Sequence, residues 1–285
     1  MNKKSSPTTI LRIAFFACAG STAILQALAV LISYSTESNY FDTGAILPIL
    51  SAILTVGGVI CGTLAASMSD PKTLNDSPFS ERNEFPIPAL GFLLTALLLP
   101  LNSPTERMTL TVVTSAVLIL SALYSVLSGL ANFRQQHEGL LSFLGMASVV
   151  GCILAAAYFY FDVNVEMNAP LKIAVQIGLV TAMLCYTGEI RYLLGKPMPR
   201  VYLSIVSWAI AVGALASLAI PIAYATQKLP RADYAGAAVL VLCLVLTQIL
   251  RMRTLLKAPA EDITQETDET NDTDGTTDDD GKDLT

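Results

Sequence analysis

The chain has 285 residues, of which 53% are hydrophobic and 14% charged; soluble globular domains average about 25% charged residues. So little charge cannot keep a folded surface wet, which excludes an ordinary water-soluble fold and makes the lipid bilayer the principal partner. The net charge of −6 is unevenly spread: residues 258–285 hold eleven acids and one Lys, and residues 1–257 carry a net +4.

A helix needs about 20 mostly apolar residues to cross the hydrocarbon core. Eight such stretches follow one another, near residues 10–34, 44–69, 86–102, 107–132, 139–161, 170–194, 201–226 and 233–256. They lack the period-2 alternation of a membrane barrel, and backbone groups in lipid must be paired within their own segment. The expected fold is an all-α bundle of about eight transmembrane helices over residues 1–257, followed by a tail.

The first span begins after Lys3 and Lys4 and runs to about Ile32, too long for a secretory signal core. Gln26 lies in its middle. The second carries Gly58, Gly62 and Ala66 at four-residue spacing, the small-residue pattern that lets helices approach in lipid. The loop from Asp70 to Phe85 has mixed charge and many turn-forming residues, and reads as a connector. The third span is short and bracketed by Pro86, Pro88 and Pro100, so it is the one that could be re-entrant.

The fourth span carries a hydroxyl stripe, Thr111, Thr114, Ser121, Ser125, Ser128 and, beyond them, Asn132, within roughly 100° of arc. Such groups can bond their own backbone carbonyls. Arg134 to Glu138 reads as a solvated connector. The fifth span repeats the small-residue pattern at Ala147, Gly151 and Ala155. In the sixth, Lys172, Gln176, Met183, Thr187 and Arg191 fall on one face, and Tyr186 and Glu189 lie close by. Two residues at 100° each separate Glu189 from Arg191 by about 160° around the helix, so the two cannot pair along it. Glu189 therefore anchors at the interface or meets Arg134, Arg251 or Arg253 from a neighbour. The seventh span has Ala209, Gly213 and Ser217, then Pro221, which should kink it. Thr247 and Gln248 sit in the inner half of the eighth.

Lys and Arg fix the orientation, because they gather on the cytoplasmic side. With the N-terminus inside, thirteen fall inside and Arg107, Lys172, Lys228 and Arg231 fall outside. That expectation puts both termini in the cytoplasm and the protein in the plasma membrane. The tail, Ala258 to Thr285, is too polar to bury surface and should be disordered.

Among functional motifs there is no H-E-x-x-H, no P-loop, no C-x-x-C and a single His, His137. We therefore expect no cofactor, no metal, no catalytic residues and no nucleic-acid partner. Polar residues at membrane depth remain as the candidate site: Gln26, Gln176, Tyr186, Thr187, Glu189, Arg191 and Gln248. They suggest a transporter-like or permease-type subunit for a small solute. The alternative is a non-catalytic scaffold or regulatory subunit, with a second copy or a membrane subunit as its partner.

Overall fold

The computed structural model describes residues 7–75, 77–80, 82–102 and 107–257. The acidic tail and the Lys3-Lys4 pair lie outside them. The described chain is helical: α1 (Pro7–Ser33), α2 (Ile46–Ser67), α3 (Ile87–Leu98), α4 (Met108–Gly129), α5 (Ala131–Gln136), α6 (Glu138–Tyr160), α7 (Pro170–Leu193), α8 (Pro199–Ser217), α9 (Ala219–Ala225) and α10 (Ala232–Leu255). Among the described residues, seven helical stretches are long and apolar enough to cross a membrane, with α8 and α9 counted as one. An eighth, Ile87–Leu101, is apolar but shorter. The protein is a multi-pass membrane protein.

Six helices form a closed ring in the order α8, α10, α3, α4, α6, α7, and the α1–α2 hairpin packs outside it against α8. In α7, α8–α9 and α10, 61–67% of the apolar stretch is buried, against 33–39% in α1, α2, α4 and α6. The outer helices turn large apolar side chains outward, as Ile46, Ile49, Ile53, Val56 and Ile60 do along α2. Repeated at three- and four-residue intervals, they make one continuous apolar stripe that suits lipid and not water.

Small residues set the approach distances. A Cβ on Gly62 of α2 would stand 2.5 Å from the Ser207 Cβ of α8, and one on Gly91 of α3 would stand 2.8 Å from the Leu240 Cα of α10. The Thr95 hydroxyl of α3 donates to the Gly236 carbonyl of α10 at 2.9 Å. Close backbones and cross-helix hydroxyl bonds are what holds helices together where lipid removes the hydrophobic drive.

The third segment starts beside Pro86 and continues past Leu98 as a 3₁₀ turn, Leu99–Asn102. The Leu99 carbonyl faces the Tyr158 hydroxyl of α6 at 3.4 Å; Gly91 packs on Leu240 and Thr95 bonds Gly236, so the segment runs antiparallel to α10. The Pro221 kink appears as a break at Leu218 that separates α8 from α9. A proline ring excludes the carbonyl four residues back, and here that carbonyl belongs to Ser217, the last residue of α8.

The α4 hydroxyls are buried, and four of them bond backbone carbonyls of their own helix: Thr111 to Arg107, Ser121 to Val117, Ser125 to Ser121 and Ser128 to Ser125. Ser121 also reaches the Ala147 carbonyl of α6. Asn132 departs from the stripe: α4 ends at Gly129, and Asn132 is exposed on α5. The Asp70–Phe85 segment is more than a connector. Leu74 and Phe79 are buried, Asn75 N–H donates to the Leu255 carbonyl, and Glu84 N–H donates to the Gly129 carbonyl.

Candidate functional site

Glu189 lies four residues before the end of α7, and Arg251 four before the end of α10. The two helix ends stand side by side, so a carboxylate and a guanidinium that are 62 positions apart in the chain meet inside the bundle. Arg251 Nε donates to Glu189 Oε1 at 3.2 Å. Tyr124 of α4 and Tyr202 of α8 donate their hydroxyls to Glu189 Oε2 and Oε1, each at 3.3 Å. Glu189 is 1% exposed, so the three donors replace the hydration it has lost.

The other edge of Arg251 faces the Asp70–Phe85 segment. Its Nη1 donates to Glu84 Oε2 at 2.5 Å. Glu84 is the outer of the two carboxylates, with 23% of its side chain exposed against 2% for Glu189. Its Oε1 accepts the Ser80 N–H at 2.6 Å. The Phe79 ring packs against the Arg251 guanidinium at 4.3 Å and against that of Arg134 at 4.9 Å. Arg134 donates to the Ser128 carbonyl at 2.7 Å and to the Ser80 carbonyl. It is buried, not a solvated connector residue: Leu130, extended, turns the chain so that α5 lies across the bundle end. Burial and the neighbouring Arg251 charge pull the Arg134 guanidinium below its usual pKa.

Beside these groups is a cavity of about 20 Å³, lined by Glu84, Pro86, Tyr124, Ser125, Tyr186, Glu189, Thr247 and Arg251, among others. That is room for about one water. The Tyr186 hydroxyl has no hydrogen-bond partner; Ser125, on the same wall, donates to the Ser121 carbonyl instead. A wider surface cleft of about 240 Å³ lies over Phe79, Ser80, Arg134, Glu138 and Tyr192.

The opposite end of the bundle holds a second ionic cluster. Arg231 grips Asp233 through two nitrogens, at 2.6 and 3.2 Å, and Asp162 at 2.8 Å. The Tyr234 hydroxyl donates to Asp162 at 3.2 Å, and the Tyr158 hydroxyl to Asp233 at 3.4 Å. Lys172 Nζ caps the Asp162 and Val165 carbonyls, and Lys228 Nζ caps those of Val30, Leu31 and Tyr34. Burial pulls the Arg231 guanidinium down, but Asp233 and Asp162 outweigh it and hold it above the usual range. Arg231, Asp162, Asp233, Lys172 and Lys228 all have charged or carbonyl partners, which makes this cluster a clasp closing α6, α7 and α10.

No family model, curated protein or solved structure matches the chain. The geometry alone therefore sorts the residues chosen from the sequence. Glu189 and Tyr186 stand at the cavity, and Gln248 is one turn before Arg251 on α10, buried, with neither end of its amide bonded. Gln26 is elsewhere: its Oε1 accepts the Ser51 hydroxyl of α2 at 2.5 Å, with Thr22 and Thr55 adjoining. Gln176 is thirteen residues from Glu189, about 20 Å along α7, and half-buried. Thr187 and Arg191 point away from the cavity and are exposed, and Lys172 belongs to the opposite end. The expected polar face of α7 is thus divided among three surroundings, and Glu189, off that face, is the residue that enters the site.

Reading from sequence missed Glu84, Phe79, Tyr124 and Tyr202. Two apolar side chains in an otherwise polar loop, Leu74 and Phe79, both buried, were the available signal that the loop folds back onto the helices. Asp162 and Asp233, each at the margin of an apolar stretch, were the signal for the clasp.

Proposed function

We propose that the protein moves a small polar solute across the cytoplasmic membrane, past Glu189 and Arg251, with eight crossings and both termini cytoplasmic. The single observation that carries this reading is the buried Glu189–Arg251 pair beside a small cavity. Ionisable groups inside a membrane bundle are expensive, and they mark solute or ion pathways. The clasp at the opposite end has its charges bonded, whereas this cluster has a partly exposed outer carboxylate, an unbonded tyrosine hydroxyl and room beside them. The orientation rests on the basic residues. Arg107, Lys172, Lys228 and Arg231 share the clasp end, and Arg12, Arg82, Arg134, Arg191, Lys196, Arg200, Arg251, Arg253 and Lys257 fall at the Glu189 end. The excess supports a cytoplasmic Glu189 end.

The test is reconstitution in liposomes on a solid-supported membrane, with a panel of amino acids, sugars, carboxylates and amines. A saturable current for one class is expected, falling at least tenfold in Glu189→Gln. Silence across the panel would remove the reading.

One observation favours a second function. The cavity holds about one water, too little room for a solute to pass beside Glu189 in this conformation. A closed bundle suits a non-catalytic scaffold that binds a membrane subunit or a second copy, with the acidic tail as a contact. If the intact protein copurifies with a stoichiometric partner in mild detergent and loses it on removal of residues 258–285, the scaffold reading gains and the panel stays silent.

A further inference from the structure

Resting on the transport reading, we infer that Glu84 occupies the place of the substrate, and that the substrate is a small monocarboxylate that binds Arg251 on the edge Glu84 now holds. A guanidinium presents its donors along its edges, and each edge matches one carboxylate. In Arg251 the Nε side belongs to Glu189 of α7, fixed within a helix and fully buried. The Nη1 side belongs to Glu84, which lies outside any helix and is partly exposed. The inner carboxylate is part of the frame, and the outer one is the exchangeable partner.

Charge balance selects the class of solute. Arg134 and Arg251 both pack on the Phe79 ring, and Glu84 and Glu189 oppose them. The four charges cancel. If Glu84 leaves, the site is short of one negative charge and Arg251 loses one of its two carboxylate partners. A cation entering there would meet two guanidinium groups. A neutral solute would leave a buried cation without its counter-charge, a situation that proteins avoid. An anion restores the balance. Carboxylate geometry fits the edge-on site, and the cavity beside it adds the unbonded Tyr186 hydroxyl as a donor. The aromatic cover of Phe79, Tyr124 and Tyr186 suits a short apolar substituent.

The full chain in mild detergent tests this with acetate and propionate as probes, and with chloride and acetamide as controls for charge and shape. Glu84→Ala vacates the edge. Acetate should raise the thermal midpoint of this variant saturably and bind at least tenfold tighter than to the unaltered protein. Chloride and acetamide should not. Adding Arg251→Gln to Glu84→Ala should abolish the effect. If Glu84→Ala does not fold, Glu84→Gln keeps the shape without the charge, and acetate should still bind it at least threefold tighter than the unaltered protein. Equal response to acetate and acetamide, or an acetate response that survives loss of Arg251, overturns the assignment. Flux separates it from the transport reading. Acetate binding with no carboxylate flux in proteoliposomes keeps the Arg251 site and removes transport. Flux of a sugar or amine with no acetate binding keeps transport and removes this inference.

Discussion

Arg251 Nε lies 3.2 Å from Glu189 Oε1, and the two residues are 62 positions apart near the ends of two different helices. Among the described residues, Arg251 is the one cation bonded to the buried Glu189 carboxylate. Removing one member of a buried pair leaves an uncompensated charge and costs about 3–5 kcal/mol, while replacing both is far less harmful. Arg251→Gln should therefore lower the unfolding midpoint in detergent sharply. Glu189→Gln combined with Arg251→Gln should recover most of the loss. A double variant no better than the single would mean that the two do not act as a pair.

Gly62 and Gly20 offer a contrast in packing. A methyl on Gly62 meets Ser207 of α8, while one on Gly20 meets nothing within 4 Å. Gly62→Ala should push α2 from α8 and destabilise the α1–α2 hairpin, and Gly20→Ala should be silent. Limited proteolysis of the 34–45 loop reads the difference.

Ser51 carries a hydrogen bond that Gln26 cannot replace. Its hydroxyl donates to Gln26 Oε1 at 2.5 Å. Interhelical bonds of this kind contribute about 0.6 kcal/mol on average and up to about 1.7. Ser51→Ala should cost an amount in that range, because the buried amide stays unpaired. Gln26→Leu in the same background should return part of it. Equilibrium unfolding of the three variants checks the cycle.

Tyr34, just past α1, gives the alkaline limb a specific origin. Burial pushes its phenol up to about 12 from the usual 10. The native state therefore holds this proton between pH 10 and 12, where the unfolded chain releases it, and stability falls as pH rises through that window. The contribution is complete below pH 10. Tyr34→Phe should flatten the loss between pH 10 and 12 and leave the profile below pH 9 unchanged.

Gly188 lies one residue before Glu189, and a methyl there would strike the Tyr202 ring. Gly188→Ala should displace Tyr202 and weaken its bond to Glu189 without altering any charge. Tyr202→Phe should then add little further destabilisation, a non-additivity that a double-variant cycle measures.

What the sequence determined by itself is the part that depends on local chemistry: apolar stretches long enough to span lipid, small residues at helix crossings, hydroxyls that satisfy their own helix, and basic residues segregated to alternate loops. Each follows from neighbours within about one turn. The pairing of Glu189 could be narrowed to three arginines, because helical geometry excluded Arg191. Only the tertiary structure decided among them. Arg134 was taken by the Ser80 and Ser128 carbonyls, Arg253 stayed exposed, and Arg251 entered the bundle. The same packing drew Glu84 and Phe79 out of an apparent connector, and split the polar face of α7 among the clasp, the surface and the bundle interior. No local pattern encodes such choices, because they depend on which helix ends come side by side when the ring closes.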